Sequence, residues 1–447
     1  MSGHTVSRGP TDAGERALAP DLARGFMLLF IAIANTVWYL WAVPMGGLSA
    51  HPEPGGVLDA AAQFFTVVAV DGRSYPMFAF LFGYGMVQLA RRQEAAGADA
   101  GAVDALLRRR NLWLLAFGLV HALLLWMGDV LGAYGLAGLL LGWLFLRRRD
   151  TTLLVWAGLL TGLMLLLSAA SLVGLALMPA DQPAMAGPGM DDMAFNIGNP
   201  SILGAAVGRL SVWPLIVLGQ GLLGLTVPTA ILLGFWAARR RILEEPGRHL
   251  VLLRLTAAAG ISLGWLGGLP SALVQVGAWD LTVSQGGMLA LPHMVTGLAC
   301  GVGYVALIAL VAHRIRAGGR GPGPVVTALS ATGKRSLSAY LAQSVLCAPV
   351  LTAWGLGVAA HLSPWSMFLF AVGVWLVTVA GAYALERAGR RGPAEVLLRR
   401  LAYRGTGRGS SEGAPGGDGA GPPAGPGEGR AKSAPPPDPE AQKAACR

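Results

Sequence analysis

The sequence predicts an all-α integral membrane protein, a polytopic bundle of about ten transmembrane helices with both termini in the cytoplasm. Of its 447 residues, 54% are hydrophobic and only 13% are charged, whereas ordinary soluble domains carry about 25% charged residues. Several apolar runs are about 20 residues long, enough to cross a ~30 Å hydrocarbon core at a rise of 1.5 Å per residue. A transmembrane β-barrel would instead show alternating segments of about 10 residues.

Ten segments are apolar and long enough to be transmembrane helices. They are roughly Gly25–Val43, Arg73–Ala90, Arg109–Met127, Val130–Leu146, Leu153–Met178, Pro214–Ala238, Leu250–Leu269, Gly287–Ala312, Ser336–Leu356 and Trp365–Leu385. The apolar run Ala60–Val70 is too short to cross the bilayer alone, so we interpret it as interfacial or re-entrant.

The loops between these segments alternate between basic and nearly uncharged, and this sets the orientation, because cytoplasmic loops carry the excess of arginine and lysine. The basic loops contain Arg91, Arg92, Arg108, Arg109, Arg110, Arg147, Arg148, Arg149, Arg239, Arg240, Arg241, Arg248, Arg314, Arg316, Arg320, Lys334 and Arg335. The alternate loops contain almost none, with Arg73 and Arg209 as exceptions. The net charge of +10 is therefore a topology signal with some contact to anionic lipids, and it requires no nucleic acid as a partner. The expected location is the plasma (inner) membrane.

The chain is expected to have three parts. Residues 1–20 form a polar cytoplasmic segment, 21–404 the transmembrane domain, and 405–447 a tail rich in Gly, Pro and Ser that cannot bury apolar surface and is expected to be disordered. The N-terminus lacks a convincing secretory signal, because about twenty polar residues precede the first apolar segment. The three cysteines, Cys300, Cys347 and Cys446, suggest neither a disulfide framework nor a metal site.

Two ionisable residues interrupt the apolar stretch from Gly118 to Leu136, and such residues at membrane depth often mark function. Asp129 follows a turn signal at Gly128 and is expected at the outer interface, capping the next helix. His121 lies eight residues earlier, about 10 Å below the outer surface. Its side chain could be a neutral imidazole bonded to a neighbouring helix or a catalytic base. Direct pairing with Asp129 requires the helix to break at Gly128.

A second histidine is predicted at a similar depth on another helix. His293 follows Pro292 near the outer end of the eighth segment. The two histidines are therefore candidates to line one outward-facing cavity.

The ninth segment carries a polar stripe on one helical face. Its members are Ser336, Tyr340, Gln343, Ser344 and Cys347. Polar faces in lipid turn toward other helices or a water-filled cavity. The stripe therefore predicts either interhelical hydrogen bonds or a substrate site.

At the mouth of the first segment, Asp21 stands three residues before Arg24, where the carboxylate can cap the helix while the guanidinium reaches the interface. In the second segment, Gly83 and Gly85 allow close helix approach.

These residues together resemble the YeiB-like family of bacterial membrane proteins, known as domain of unknown function 418, over nearly the whole stretch from Asp21 to Tyr403. The resemblance lies in Asn35 and in the blocks "DLARGF", "FAFLFGYG", "RRNLWLLAFGLVHALLLWMGDVLGAYGLAG", "GKRSLSAYLAQS" and "GPAEVLLRRLAY". Ala339 departs from the asparagine usual in the family.

The segment layout is also similar to that of membrane acyltransferases, the heparan acetyltransferase-like and acyltransferase-3 proteins. This more distant resemblance implies transfer of an acyl group from cytoplasmic acyl-CoA to an envelope or exported acceptor, with no tightly bound cofactor and no metal. His121, Asp129 and His293 would be the catalytic residues, and the substrate-binding residues would be Asp21, Arg24, Asn35, Tyr340, Gln343 and Ser344. The arginines Arg24, Arg91, Arg92 and Arg110 could hold donor phosphates. A small-molecule transporter and a non-catalytic scaffold are the alternatives.

Overall fold

The computed structural model describes residues 17–43, 49–179, 197–319 and 321–403. In these ranges the chain forms α-helices joined by turns and no β-strand, which confirms the all-α prediction. The helices are α1 Leu18–Thr36, α2 Val57–Ala69, α3 Ser74–Ala95, α4 Ala100–Leu124, α5 Val130–Phe145, α6 Asp150–Leu177, α7 Ile202–Leu218, α8 Thr226–Arg239, α9 Leu250–Gln275, α10 Val283–Gly287, α11 Ala290–Ala317, α12 Pro324–Lys334, α13 Ser336–Leu351, α14 Pro364–Arg387 and α15 Pro393–Tyr403. Residues 1–16 of the predicted N-terminal segment 1–20 lie outside the described residues, and so does the predicted tail 405–447.

Six helices of the described chain are long and apolar enough to cross a membrane. They are α1, α6, α7, α9, α11 and α14, each taken with the short turns that extend it. Helices α5 and α13 are apolar but shorter. Many leucines of α6 and α9 are exposed, Leu166 at 66% and Leu255 at 64%. Such surfaces suit a lipid bilayer, whereas the count of ten crossings and the orientation stay predictions.

The sixth predicted segment is wrong in its boundaries. A single helix was expected over Pro214–Ala238, but α7 already begins at Ile202 and the chain breaks between α7 and α8. A wide helical turn, Gly219–Leu223, makes the break. Gly221 packs directly on α5, since a Cβ there would lie 2.8 Å from the Ala133 carbonyl oxygen. Glycines combined with a wide turn are a common cause of such kinks.

The short apolar run at 60–70 forms α2, which packs against α9 and α14. The chain then reverses at Gly72, whose φ of 74° is a conformation that glycine adopts without strain, and enters α3. At 13 residues α2 is too short to cross the bilayer, as the sequence indicated.

Close packing of α3 on α8 depends on glycine, as predicted for Gly83. A Cβ on Gly83 would lie 2.6 Å from the Ile231 carbonyl oxygen, and one on Gly234 would lie 2.3 Å from that of Phe80. Gly85 serves a different purpose, because it leaves room for the guanidinium of Arg24, which would lie 3.2 Å from a Cβ at this position. The helices therefore meet backbone to backbone beneath the candidate site.

Ion pairs link residues of the basic loops at one end of the bundle, here called the basic end. Arg147 contacts Asp104 at 2.9 Å and Glu94 at 3.4 Å, and Arg239 contacts Asp150 at 3.0 Å. Hydrogen bonding to Asp104 raises the pKa of Arg147, which therefore stays charged. The basic end is the predicted cytoplasmic side.

Candidate functional site

The turn between α4 and α5 brings His121 and Asp129 into contact. Helix α4 ends at Leu124, and the amide N–H groups of Leu125 and Trp126 both donate to the His121 carbonyl. The chain then folds back, so that Nδ1 of His121 lies 2.8 Å from Oδ1 of Asp129. Eight residues along one continuous helix would separate these groups by about 12 Å. The helix therefore does break before Asp129, which is the condition that the sequence analysis set for direct pairing of His121 with Asp129.

A missing side chain on α4 makes the pairing possible. Gly118 lies one turn before His121 on the same helix face, and a Cβ there would be 2.2 Å from Oδ2 of Asp129 and 2.3 Å from the Gly132 amide. Any larger residue would push the start of α5 away from α4. Gly118 therefore allows the carboxylate to sit directly under the histidine.

Asp129 is completely buried, at 0% exposure. The expected position at the outer interface stays a prediction, while the expected helix cap is confirmed. The Asp129 side chain accepts hydrogen bonds from the amides of Leu131 at 3.2 Å and Gly132 at 2.7 Å. The indole of Trp213 adds a donor at 3.5 Å. A buried carboxylate is tolerated because donors and the α5 N-terminus surround it.

The hydrogen bond to Asp129 also fixes the chemistry of the histidine ring. An ionised carboxylate can only accept, so a neutral His121 carries its proton on Nδ1 and a lone pair on Nε2. Within the described chain, Nε2 is buried and has no hydrogen-bond partner. A buried acceptor without a partner costs about 1–3 kcal/mol. An oriented imidazole with an unused lone pair is the arrangement that a general base requires.

Tyr340 of α13 packs on this pair. Its ring centroid lies 5.2 Å from that of His121, and its hydroxyl accepts a hydrogen bond of 3.4 Å from the Val130 amide. Further along the helix, Gln343 donates to the Leu28 carbonyl at 3.0 Å, and Ser344 is buried. The polar stripe of α13 faces the protein interior, as predicted.

A cavity of about 710 Å³ leads from the basic end to Tyr340. Its mouth carries eight cationic side chains, Arg24, Arg92, Arg110, Lys334, Arg335, Arg390, Arg391 and Arg399. Three carboxylates accompany them, those of Asp21, Glu386 and Glu395. The deeper wall is apolar, formed mainly by Met27, Phe78, Leu81, Phe82, Leu106, Leu114 and Leu131, with Tyr134 and Tyr340.

Two of the three carboxylates at the mouth hold the helices in place. Glu386 binds Lys334 at 2.6 Å and Arg335 at 2.7 Å. Glu395 of α15 accepts from the amides of Leu337 and Ser338 at 2.8 and 3.1 Å, and so caps the start of α13. The cap fixes the helix that carries Tyr340.

At the first helix, Asp21 and Arg24 form an ion pair of 3.2 Å, and Arg24 also donates to the Leu81 carbonyl at 3.3 Å. Both residues line the cavity mouth, and their role in binding a substrate stays a prediction. Arg91 does not line it, because its guanidinium binds Glu244 and the Ala238 carbonyl.

His293 belongs to a different cluster, and a joint site with His121 finds no support in the geometry. Its Nε2 lies 3.0 Å from the Asp71 carbonyl oxygen and 2.5 Å from Nη1 of Arg73. The carboxylate of Asp71 in turn binds His51 at 2.7 Å. No hydrogen bond or ring contact in the described chain joins His293 to His121, and their sharing of one cavity stays a prediction.

Comparisons with known proteins show which family the chain is similar to. The family described as protein of unknown function (DUF418) matches residues 237–405. The uncharacterized protein YxaH of Bacillus subtilis is 27% identical over 414 residues, which cover 88% of this chain and 96% of that protein. The uncharacterized protein YeiB of Escherichia coli is 25% identical over 419 residues, covering 88% and 98%. The family model and these two near-full-length relatives support a YeiB-like DUF418 family for this chain.

A third relative, an uncharacterized 39.9 kDa protein of Bacillus acidopullulyticus, is 35% identical over 132 residues, or 30% of this chain and 35% of that protein. None of these three descriptions names a reaction. The family match spans His293 and the α13 stripe, while His121 and Asp129 lie before it. The comparisons support a family but name no chemistry, so the chemistry is argued from the site.

Sequence reasoning missed several residues that lie around the end of α4. Tyr39, Trp126, Arg209 and Trp354 each have a buried side-chain donor without a hydrogen-bond partner in the described chain. Only Arg209 stood out in the sequence, because it is an arginine in one of the loops that are otherwise nearly free of basic residues. Asn35, half-buried in the last turn of α1, stays a prediction.

Proposed function

We propose that the protein is a transmembrane acyltransferase that takes an acyl group from acyl-CoA at the basic end and delivers it to an envelope or exported acceptor. The observation that carries the proposal is the cavity, which joins a cationic mouth to Tyr340 beside the His121–Asp129 pair.

The cavity suits the two chemical halves of acyl-CoA. Arginine side chains at the mouth, such as Arg110 and Arg399, match the phosphates of the nucleotide half through charge-assisted hydrogen bonds. The apolar inner wall matches an acyl chain. At 710 Å³ the volume lies within the range of small-molecule and cofactor pockets, roughly 300–1,000 Å³.

His121 would serve as general base in this reaction. Its Nε2 takes the proton from an acceptor hydroxyl or amine while that oxygen or nitrogen bonds to the thioester carbonyl carbon. The carbon–sulfur bond then breaks, and the leaving thiolate recovers the proton from the imidazolium. Asp129 keeps the ring in the correct tautomer and stabilises the imidazolium that forms, as carboxylates do in catalytic triads.

A transfer assay with a matched control tests the proposal. Purified protein in lipid nanodiscs is incubated with radiolabelled acyl-CoA and an envelope extract, and label on the acceptor is measured. His121→Gln should reduce transfer at least ~100-fold, as expected for loss of a general base. His361→Gln, at an exposed histidine, should leave transfer unchanged. Equal transfer by both variants would refute the role of His121, and no transfer by the wild type with any extract would refute the function.

Export or uptake of a small molecule is the second candidate. It is favoured by the unpaired polar groups around Tyr39 and Arg209, which continue the polar route beyond Tyr340. Solute movement in proteoliposomes without acyl transfer would support transport in place of the enzyme. If neither acyl transfer nor solute movement is detected, a non-catalytic scaffold is the remaining interpretation.

A further inference from the structure

Arg209 of α7 is buried at the far side of the His121–Asp129 pair from the basic end, with only 2% of its surface exposed. Two nitrogens of its guanidinium bind the carbonyl ends of α4: Nε donates to Ala122 at 3.0 Å and Nη2 to Leu123 at 2.8 Å. The third nitrogen, Nη1, has no partner in the part of the chain that the structure describes. The guanidinium therefore lies next to the His121–Asp129 pair, and its Nη1 group is available to donate a hydrogen bond.

Three further donors without hydrogen-bond partners lie near the end of α4, where the guanidinium binds. The ring of Tyr39 stacks on that of Trp126, with 4.6 Å between centroids, and the Tyr39 hydroxyl and the Trp126 indole N–H are both buried and unbonded. The guanidinium of Arg209 lies over the ring of Trp354, 6.0 Å from its centroid, and that indole N–H is also unbonded. The Tyr39 ring therefore lies against the segment that follows α4, two residues beyond Leu124, whose carbonyl Arg209 also contacts at 3.5 Å.

The donors differ in kind from His121. Arginine and tryptophan nitrogens can only donate, whereas Nε2 of His121 accepts. No carboxylate hydrogen-bonds or pairs with Arg209 among the described residues, so its charge is met by helix-end carbonyls and by the face of the Trp354 ring. A group of buried donors around a cation matches a ligand that only accepts, namely a phosphate or carboxylate, and it would repel a metal ion.

We propose that Arg209, Tyr39 and Trp126 bind an anionic phosphate or carboxylate of the acceptor, and that this places a neighbouring hydroxyl or amine at Nε2 of His121. The acceptor is then an anionic molecule with its nucleophile next to its charge, either a lipid headgroup or a soluble compound. The role as acceptor site rests on the proposed acyltransferase function, but the anion site can be tested without any transfer.

Direct binding to two probes tests the site. The protein is held in neutral phosphatidylcholine nanodiscs without acyl-CoA, and binding of radiolabelled glycerol 3-phosphate is measured in one arm. In the other, native mass spectrometry counts phosphatidylglycerol bound from mixed micelles. Arg209→Lys and Arg209→Gln should weaken binding of the preferred probe at least ~10-fold, and Tyr39→Phe about 3- to 10-fold, because a donor without a protein partner is removed. The arm that responds identifies the source as lipid or soluble.

Two control variants separate this site from the basic end. Arg248→Gln removes an exposed arginine paired with Glu245 and should change nothing. Arg399→Gln changes the cavity mouth. Loss of binding in Arg399→Gln but not in the Arg209 variants would overturn the proposal, because the probe would then occupy the donor cavity.

The remaining outcomes distinguish this inference from the proposed function. Tyr39→Phe retains its ring stack, so it reports on the site even if the Arg209 variants fail to fold. The anion site is overturned if Tyr39→Phe binds the probe as tightly as the wild type. It is also overturned if the wild type binds neither probe, whether or not acyl transfer is observed. Anion binding with the expected losses but no acyl transfer refutes the acyltransferase and leaves the site standing.

Discussion

Asp129→Asn perturbs the site at its most constrained point. The carboxylate serves two sets of donors: Oδ1 faces Nδ1 of His121 at 2.8 Å and the Leu131 amide at 3.2 Å, while Oδ2 faces the Gly132 amide at 2.7 Å. An asparagine has one oxygen for these two directions. If the oxygen faces His121, the amide NH₂ meets the Gly132 N–H. If it faces Gly132, the NH₂ donates to Nδ1 and forces the ring proton onto Nε2.

Both arrangements remove one hydrogen bond to a charged group and weaken another. Hydrogen bonds to charged groups contribute about 1.5–3 kcal/mol each, and asparagine remains a good helix cap. The net loss in transition-state stabilisation is therefore about 2–4 kcal/mol. At 1.36 kcal/mol per factor of ten, transfer should fall by roughly 30- to 900-fold while residual activity remains measurable.

The assay measures initial rates of acyl transfer in nanodiscs, together with the ring ¹⁵N chemical shifts of His121, which report the tautomer. Asp104→Asn is the matched control, since that carboxylate is 49% exposed and pairs with Arg147 at the surface. It should keep the wild-type rate, because exposed ion pairs contribute at most about 1 kcal/mol. A wild-type rate in Asp129→Asn with an unchanged ring spectrum would refute the view that Asp129 orients the base.

Three further predictions concern packing, capping and topology. Gly118→Ala should destabilise the protein by about 2 kcal/mol, because overpacking of up to about 3 kcal/mol outweighs a gain of about 1 kcal/mol in helix propensity. The control Gly158→Ala has no atom within 4 Å of its Cβ position and should be neutral or stabilising. Equal shifts of the thermal midpoint for the two variants in detergent would contradict the close packing of α4 on α5 at Gly118. Glu395→Ala should cost about 1–2 kcal/mol and lower the thermal midpoint by uncapping α13, and an unchanged midpoint would rule out the cap. Reporter fusions after Arg92 and Arg149 should read cytoplasmic; an external signal after Arg149 would reject the orientation.

The sequence by itself determined the class of the protein and the position of most helices, because hydropathy is a local property that each segment expresses whatever its neighbours are. It also identified Asp129 as a helix cap and the α13 stripe as an inward face. Both follow from spacing along one helix or one turn. The break at Gly219–Leu223 escaped this reasoning, because hydropathy was followed across it although Gly219, Gly221 and Gly224 mark a weak point in the helix.

The tertiary structure alone decided which polar residues share a site. The pairing of His121 with Asp129 depends on how α4 and α5 fold back, and that in turn depends on the absence of a side chain at Gly118. Arg209 reaches the end of α4 from 87 residues away, and His293 lies instead with Arg73. Helical periodicity fixes the depth and face of a side chain but not its partner on another helix, because that partner is selected by the packing of the whole bundle.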